Sequence, residues 1–171
     1  MTSVAGSRCY DCRQLQWRFA MRRMVLAALL VLPVALLAPA QAADGLTAVK
    51  SPHPVKETID RLEAAAKARN LVIFARVDHA AGAQKVGRTL RPTELLIFGN
   101  PQGGTPFMEC AQSVGIDLPL KVLAWQDDAG QVWLGYNEPQ FLAARHGVPN
   151  CAVVPNLKKA LEGLAAEATK P

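Results

Sequence analysis

The stretch "DLPLKVLAWQDDAGQVWLGYN", Asp117 to Asn137, leaves few folds open. Two runs rich in apolar and β-branched residues flank Asp127-Asp128-Ala129-Gly130, and an acidic turn ending in glycine between such runs makes an antiparallel hairpin. A lone hairpin is marginal in water, so other elements of the chain must cover it. Val55, Ile59, Leu62, Ala66 and Arg69 recur at helical spacing between Pro54 and Asn70, which predicts a one-faced helix. "LVIFARVD", Leu71 to Asp78, has strand composition, and a short helix His79 to Val86 is expected next, capped by Asp78 and stopped by Gly87. The strand Glu94 to Phe98 is apolar on both faces and is expected to be central. A helix is expected from Thr105-Pro106 to about Gly115, and another through Phe141 and Leu142, capped by Asn137 and closed by Gly147. Leu157, Leu161, Leu164 and Ala168 place one apolar stripe on a terminal helix. This order predicts an α+β fold: a single compact domain whose mixed β-sheet contains the hairpin, with helices packed on it.

The first 42 residues read differently from the rest. They hold Arg8, Arg13, Arg18, Arg22 and Arg23 against Asp11, a net of +4, whereas the whole chain of 171 residues carries +5. The remainder therefore sums to about +1, and the case for nucleic-acid binding by the domain disappears. Arg22-Arg23 precede an apolar run from Met24 to Leu32 and a second from Val34 to Ala38, and Ala40-Gln41-Ala42 supplies small residues at the end. That is the pattern of a secretory signal peptide over 21–42, cleaved near Ala42, and the run is shorter than the roughly 20 residues that span a bilayer. The expected product is a periplasmic or secreted domain, 43–171, with no permanent membrane anchor after cleavage; an uncleaved N-terminal anchor is the alternative. Residues 1–20 form an upstream extension that fits a start codon assigned too early, so the Cys9-x-x-Cys12 pair within it is not read as a redox or zinc motif.

Cys110 and Cys151 remain in the exported part. An even pair in an oxidising compartment reads as a disulfide, and closing a loop of about 40 residues contributes roughly 3 to 4 kcal/mol. Two free thiols packed as small apolar side chains are the alternative. A catalytic cysteine is disfavoured, because neither thiol has a neighbour in sequence that would depress its pKa.

Polar candidates for chemistry are few. Asp78 and His79 stand at a strand end, and with Glu94 they could act as acid and base; a capping Asp beside an exposed His accounts for the pair equally well. Asp117 and His146 are further polar candidates. The three histidines, His53, His79 and His146, lack metal-binding spacing, so neither a metal nor a cofactor is expected. Trp125, Trp133 and Tyr136 lie on the hairpin strands and are expected to pack a core.

"ELLIFGNPQGGTPFM", Glu94 to Met108, joins a strand to a helix through a glycine-rich bend. Backbone N–H groups there, in Asn100, Gly103, Gly104 and Thr105, could hold a small or anionic ligand, since a helix start favours negative charge. The spacing is not that of a phosphate-binding loop, and Pro106 withholds an N–H, so a plain turn with Thr105 as the cap is the competing reading.

"VDHAAGA", "LRPTELLIFGNPQGGTPFM", the hairpin phrase and "EPQFLAARHG" together resemble the domain of unknown function family number 302, over roughly residues 50–147. The resemblance implies a compact α+β domain, often exported in bacteria, and implies no reaction. Pro54 stands where that family usually has a capping Ser, and Cys110 where it has a small residue without a thiol. Two functions follow from the residues: a non-catalytic module binding a small molecule or a protein partner, including a second copy of itself, or a small exported enzyme using Asp78, His79 and Glu94.

Overall fold

The computed structural model describes residues 44–171. The expected extension 1–20 and signal peptide 21–42 lie outside the described residues. Five strands and five helices follow in the order β1 Leu46–Ser51, α1 Val55–Ala68, β2 Val72–Asp78, α2 His79–Lys85, β3 Thr93–Gly99, α3 Pro101–Cys110, a 3-10 turn Gln112–Ile116, β4 Leu120–Gln126, β5 Val132–Asn137, α4 Pro139–Arg145 and α5 Val154–Ala168. Among these described residues no helix is long and apolar enough to cross a membrane.

The α+β class is as expected, but the sheet is not mixed. Its order is β1-β5-β4-β3-β2, and every neighbouring pair is antiparallel. The physical reason lies in α1, which carries the chain from β1 at one edge to β2 at the other. β1 and β2 run the same way, yet three strands stand between them and no parallel ladder forms. β3 is interior, as its composition predicts, with β2 and β4 on its two sides. β1 itself goes unmarked in the sequence: "LTAVKS" has neither a strong alternation nor a turn signal, and its pairing with β5 makes it a strand.

Local chemistry sets the ends of several elements. Asn70 takes a left-handed φ of 57° and closes α1. Asp78 caps α2, accepting from the Ala81 amide at 2.8 Å. In the hairpin, Asp127 accepts from the Ala129 and Gln131 amides at 2.9 Å each and from the Trp133 indole at 2.7 Å, and Gly130 turns the chain at φ 81°. The indole hydrogen bond is the main reason the Asp127 carboxyl is held below its ordinary value. The helix after β5 starts with Pro139 at its first position behind Glu138, one residue beyond the expected Asn137 cap.

One sheet face carries the core. Val55, Ile59, Leu62 and Ala66 of α1 and Leu161, Leu164, Ala165 and Ala168 of α5 bury Leu96, Phe98, Val122, Leu134 and Tyr136. Each fully buried side chain of this size contributes roughly 1.5 to 3 kcal/mol. A second cluster, with Phe107, Val114, Leu142, Cys151, Val154 and Leu157, fastens α3 and α4 beside it. Cys110 and Cys151 are bonded, with Cα atoms 6.0 Å apart, so the tie joins the end of α3 to the segment leading into α5.

Candidate functional site

The glycine-rich segment is helix, not bend. α3 starts at Pro101, four residues before the expected Thr105-Pro106, because Asn100 is the cap: its Oδ1 accepts from the Gly103 amide at 2.8 Å. Glycine weakens a helix interior by about 1 kcal/mol, which is why the sequence reads as a turn there. Tertiary packing overrides that cost. Phe107 anchors the helix in the second cluster, and an added Cβ at Gly103 would already lie 3.5 Å from Leu157. Pro106 sits inside the helix and removes one of its hydrogen bonds.

This arrangement changes what the corner can bind. Gly103 donates to the Asn100 side chain, Gly104 donates to the Asn100 carbonyl at 3.1 Å, and Pro101 has no N–H. Most first-turn donors are thereby spent within the chain, which weakens the case for an anion site there. What stands beside α3 is apolar. A cavity of about 590 Å³ opens between the start of α3, the face of α5, the Gly115–Leu120 segment and β2. Phe98, Leu161 and Leu164 form its floor, all essentially buried. Phe74, 57% exposed where a bulge disturbs the β2–β3 register, stands at its rim with Gln102 and Asn156. Asn100, Gly103 and Gly104 line this cavity; Thr105 does not.

The proposed acid–base set is not brought together at this cavity. Asp78 and Glu94 face each other across β2 and β3, yet each has a structural partner. Asp78 is spent as the α2 cap. Glu94, 9% exposed, accepts from Arg76 Nε, and the same guanidinium reaches Asp60 and Glu63 on α1, so it cross-links helix and sheet. Glu94 first, and then Asp60, hold Arg76 above its ordinary value, while Arg76 lowers Asp60. His79 is exposed at the first position of α2. None of the three lines the cavity.

A different polar series was only half legible. Ser113 Oγ lies 2.9 Å from His146 Nδ1, and His146 Nε2 lies 2.7 Å from Asp117 Oδ2. Asp117 and His146 stand out as polar residues in the sequence, but only the fold joins them, through Ser113 on the 3-10 turn. Such a series can move a proton from hydroxyl to imidazole. Here Arg145 pairs with the other Asp117 oxygen at 3.1 Å, and none of the three residues lines the cavity. Its evident work is to tie the 3-10 turn to the end of α4. Among the described residues no group of His, Cys, Asp and Glu is placed to hold a metal ion.

Residues 47–164 match the family described as "Domain of unknown function DUF302". The chain belongs to that family. A crystal structure of an uncharacterised DUF302 protein from Bacillus stearothermophilus superposes with a TM-score of 0.67 at 23% identity, covering 74% of this chain and 99% of that one. That likeness shows a shared fold. Closer in sequence are Brucella proteins described as fluoride-specific ion channels. The chain is 52% identical over 105 residues to FluC 1 of Brucella suis biovar 1 (strain 1330), spanning 61% of this chain and 41% of that protein. FluC 2 of Brucella melitensis biotype 1 (strain ATCC 23456 / CCUG 17765 / NCTC 10094 / 16M) matches at the same identity over 39% of its length. The chain thus spans about two fifths of the curated relatives it matches. For a member of DUF302, the cavity under α5 is the feature from which function has to be argued.

Proposed function

We propose that this DUF302 domain is an exported, non-catalytic module that seats a small apolar or amphipathic molecule in the cavity between α3 and α5. The observation that carries the reading is the cavity itself: about 590 Å³, floored by Phe98, Leu161 and Leu164, with its few polar groups at the rim. Ligand sites of small domains have this character, an apolar body with a few orienting polar groups. The Cys110–Cys151 bond supports the exported setting, since structural disulfides persist in oxidising compartments. The test is titration with the environment-sensitive dye N-phenyl-1-naphthylamine. Uptake with enhanced emission is expected, and Ala160→Trp, which fills the cavity from α5, should weaken it by about tenfold, a step of about 1.4 kcal/mol. Absence of uptake, or uptake indifferent to Ala160→Trp, would reject the reading.

The 52% identity to proteins described as fluoride-specific ion channels favours a second reading. In it the domain serves alongside a fluoride-conducting membrane protein. The apolar cavity is unsuited to a hard, strongly hydrated anion, so the domain would act there as a partner and not as the fluoride site. Loss of the protein should then lower the fluoride tolerance of its host, and unchanged tolerance would sink this reading.

A further inference from the structure

An antiparallel sheet with helices on one face and water on the other alternates apolar-in with polar-out. This sheet does not. The face turned away from α1 and α5 carries an unbroken row across all five strands, Ala48, Gly135, Leu123, Leu95 and Val77, each the register partner of the next. Ile97 lies two residues along from Leu95 on the same face. The neighbouring row pairs Lys50 with Trp133 and Trp133 with Trp125. None of these residues belongs to either core cluster or to the side chains packed on them. Trp125 and Trp133 therefore do not join the core that their strand positions led us to expect; only Tyr136 does.

The surface is also shaped as a platform. A Cβ at Gly135 would come within 2.8 Å of Trp125 Cζ3, so the far edge of the Trp125 indole occupies space beside the β5 backbone that only glycine leaves open. The Trp133 indole is held by Asp127, and the Lys50 ammonium sits 5.5 Å from the Trp133 ring centroid. Charges stay at the margins. Lys50 is on edge strand β1, and Lys121, at the start of β4, donates to the Asp117 and Pro119 carbonyls at 2.8 and 3.0 Å.

We propose that this open sheet face is the interface of a homodimer, in which two copies pack Leu95, Ile97, Leu123, Trp125 and Trp133 against each other. Three arguments select a second copy as the occupant. Five strands about 4.8 Å apart and about 20 Å long make a face of roughly 500 Å², so two faces remove about 1,000 Å² from water, the threshold of a specific interface. An uncharged apolar centre with charges at the rim is the composition of homodimer interfaces. Sheets stack face to face about 10 Å apart when their relief is low, and Gly135 lowers the relief here by receiving the edge of the Trp125 indole where a side chain would stand. A bilayer would also accept tryptophans, but the near-neutral domain lacks the basic excess that attracts anionic lipid.

The experiment is sedimentation equilibrium of the purified protein and of Leu95→Lys and Leu123→Lys, each checked by far-UV circular dichroism. The protein is expected to sediment at twice its chain mass, and both variants at half that mass with unchanged secondary structure. Val86→Lys, at an exposed apolar residue outside the strands that form the face, should remain dimeric and controls for added charge. A wild-type monomer at high micromolar concentration overturns the inference, as does a dimer that survives both lysine variants. A monomer that instead cosediments with phosphatidylglycerol vesicles overturns it in favour of membrane docking.

Discussion

Cys110, the last residue of α3, is bonded to Cys151, 41 residues away and three positions before α5 begins. The bond therefore ties α3 to the segment that leads into α5, the two helices that wall the cavity, and Cys151 packs in the same cluster as Phe107 and Leu157. A loop of this length corresponds to about 4 kcal/mol of chain entropy in the unfolded state. Cys110→Ser with Cys151→Ser should lower unfolding free energy by roughly 3 to 4 kcal/mol in urea titrations, and a thiol assay on denatured, unreduced protein should find neither cysteine free.

Asn100 Oδ1 closes the first turn of α3 on the Gly103 amide. Asn100→Ala should cost about 1 kcal/mol, the usual loss of a helix cap. Gly104→Ala should be tolerated, because the new Cβ would sit 3.6 Å from Leu118 Cδ1, an ordinary contact. Chemical denaturation of both variants distinguishes a helix start from the plain turn that the letters resemble.

Leu161 contributes to the core and to the cavity floor. Leu161→Ala should destabilise the domain by about 2 to 5 kcal/mol while enlarging the cavity. Greater dye uptake per folded molecule, read alongside a lowered thermal midpoint, would separate the two effects.

Arg76 holds α1 to the sheet through Asp60, Glu63 and Glu94. Asp60 is lowered from 3.8 chiefly by Arg76, and Glu63 from 4.5 chiefly by Lys67 with help from Arg76. Groups whose folded pKa is depressed give stability that is complete above the unfolded values and lost as pH falls through the folded ones. The stability these groups contribute should therefore be complete well above pH 4.5 and be lost on acidification, below 4.5 for Glu63 and below 3.8 for Asp60. The double variant Arg76→Met, Glu94→Gln removes the hub without stranding a buried charge. Its deficit relative to the parent, measured by urea unfolding at several pH values, should shrink as the medium is acidified.

Gly135→Ala forces a Cβ to within 2.8 Å of the Trp125 ring. Overpacking of this kind costs about 1 to 3 kcal/mol, and the near-ultraviolet dichroism of the tryptophans should change with it.

The sequence alone determined the elements whose signals are local. The Asp127–Gly130 turn, the apolar stripes of α1 and α5, the Asp78 cap and the stop at Asn70 depend on neighbours within a few residues, so their periodicity and turn chemistry are legible without a fold. The family resemblance and the cysteine pair were legible in the same way. Tertiary structure decided what depends on distant partners. β1 is a strand because β5 pairs with it, and the sheet is antiparallel throughout because α1 crosses from edge to edge. The Gly103-Gly104 segment is helical because Phe107 is buried, and Glu94 is a structural counter-ion because Arg76 faces it across the ladder. Ser113 meets His146 only once the 3-10 turn lies against α4. Periodicity marks which residues share a face, but it cannot say whether a helix, water or another chain will cover that face, and this is why the tryptophans of the hairpin were assigned to the wrong side of the sheet.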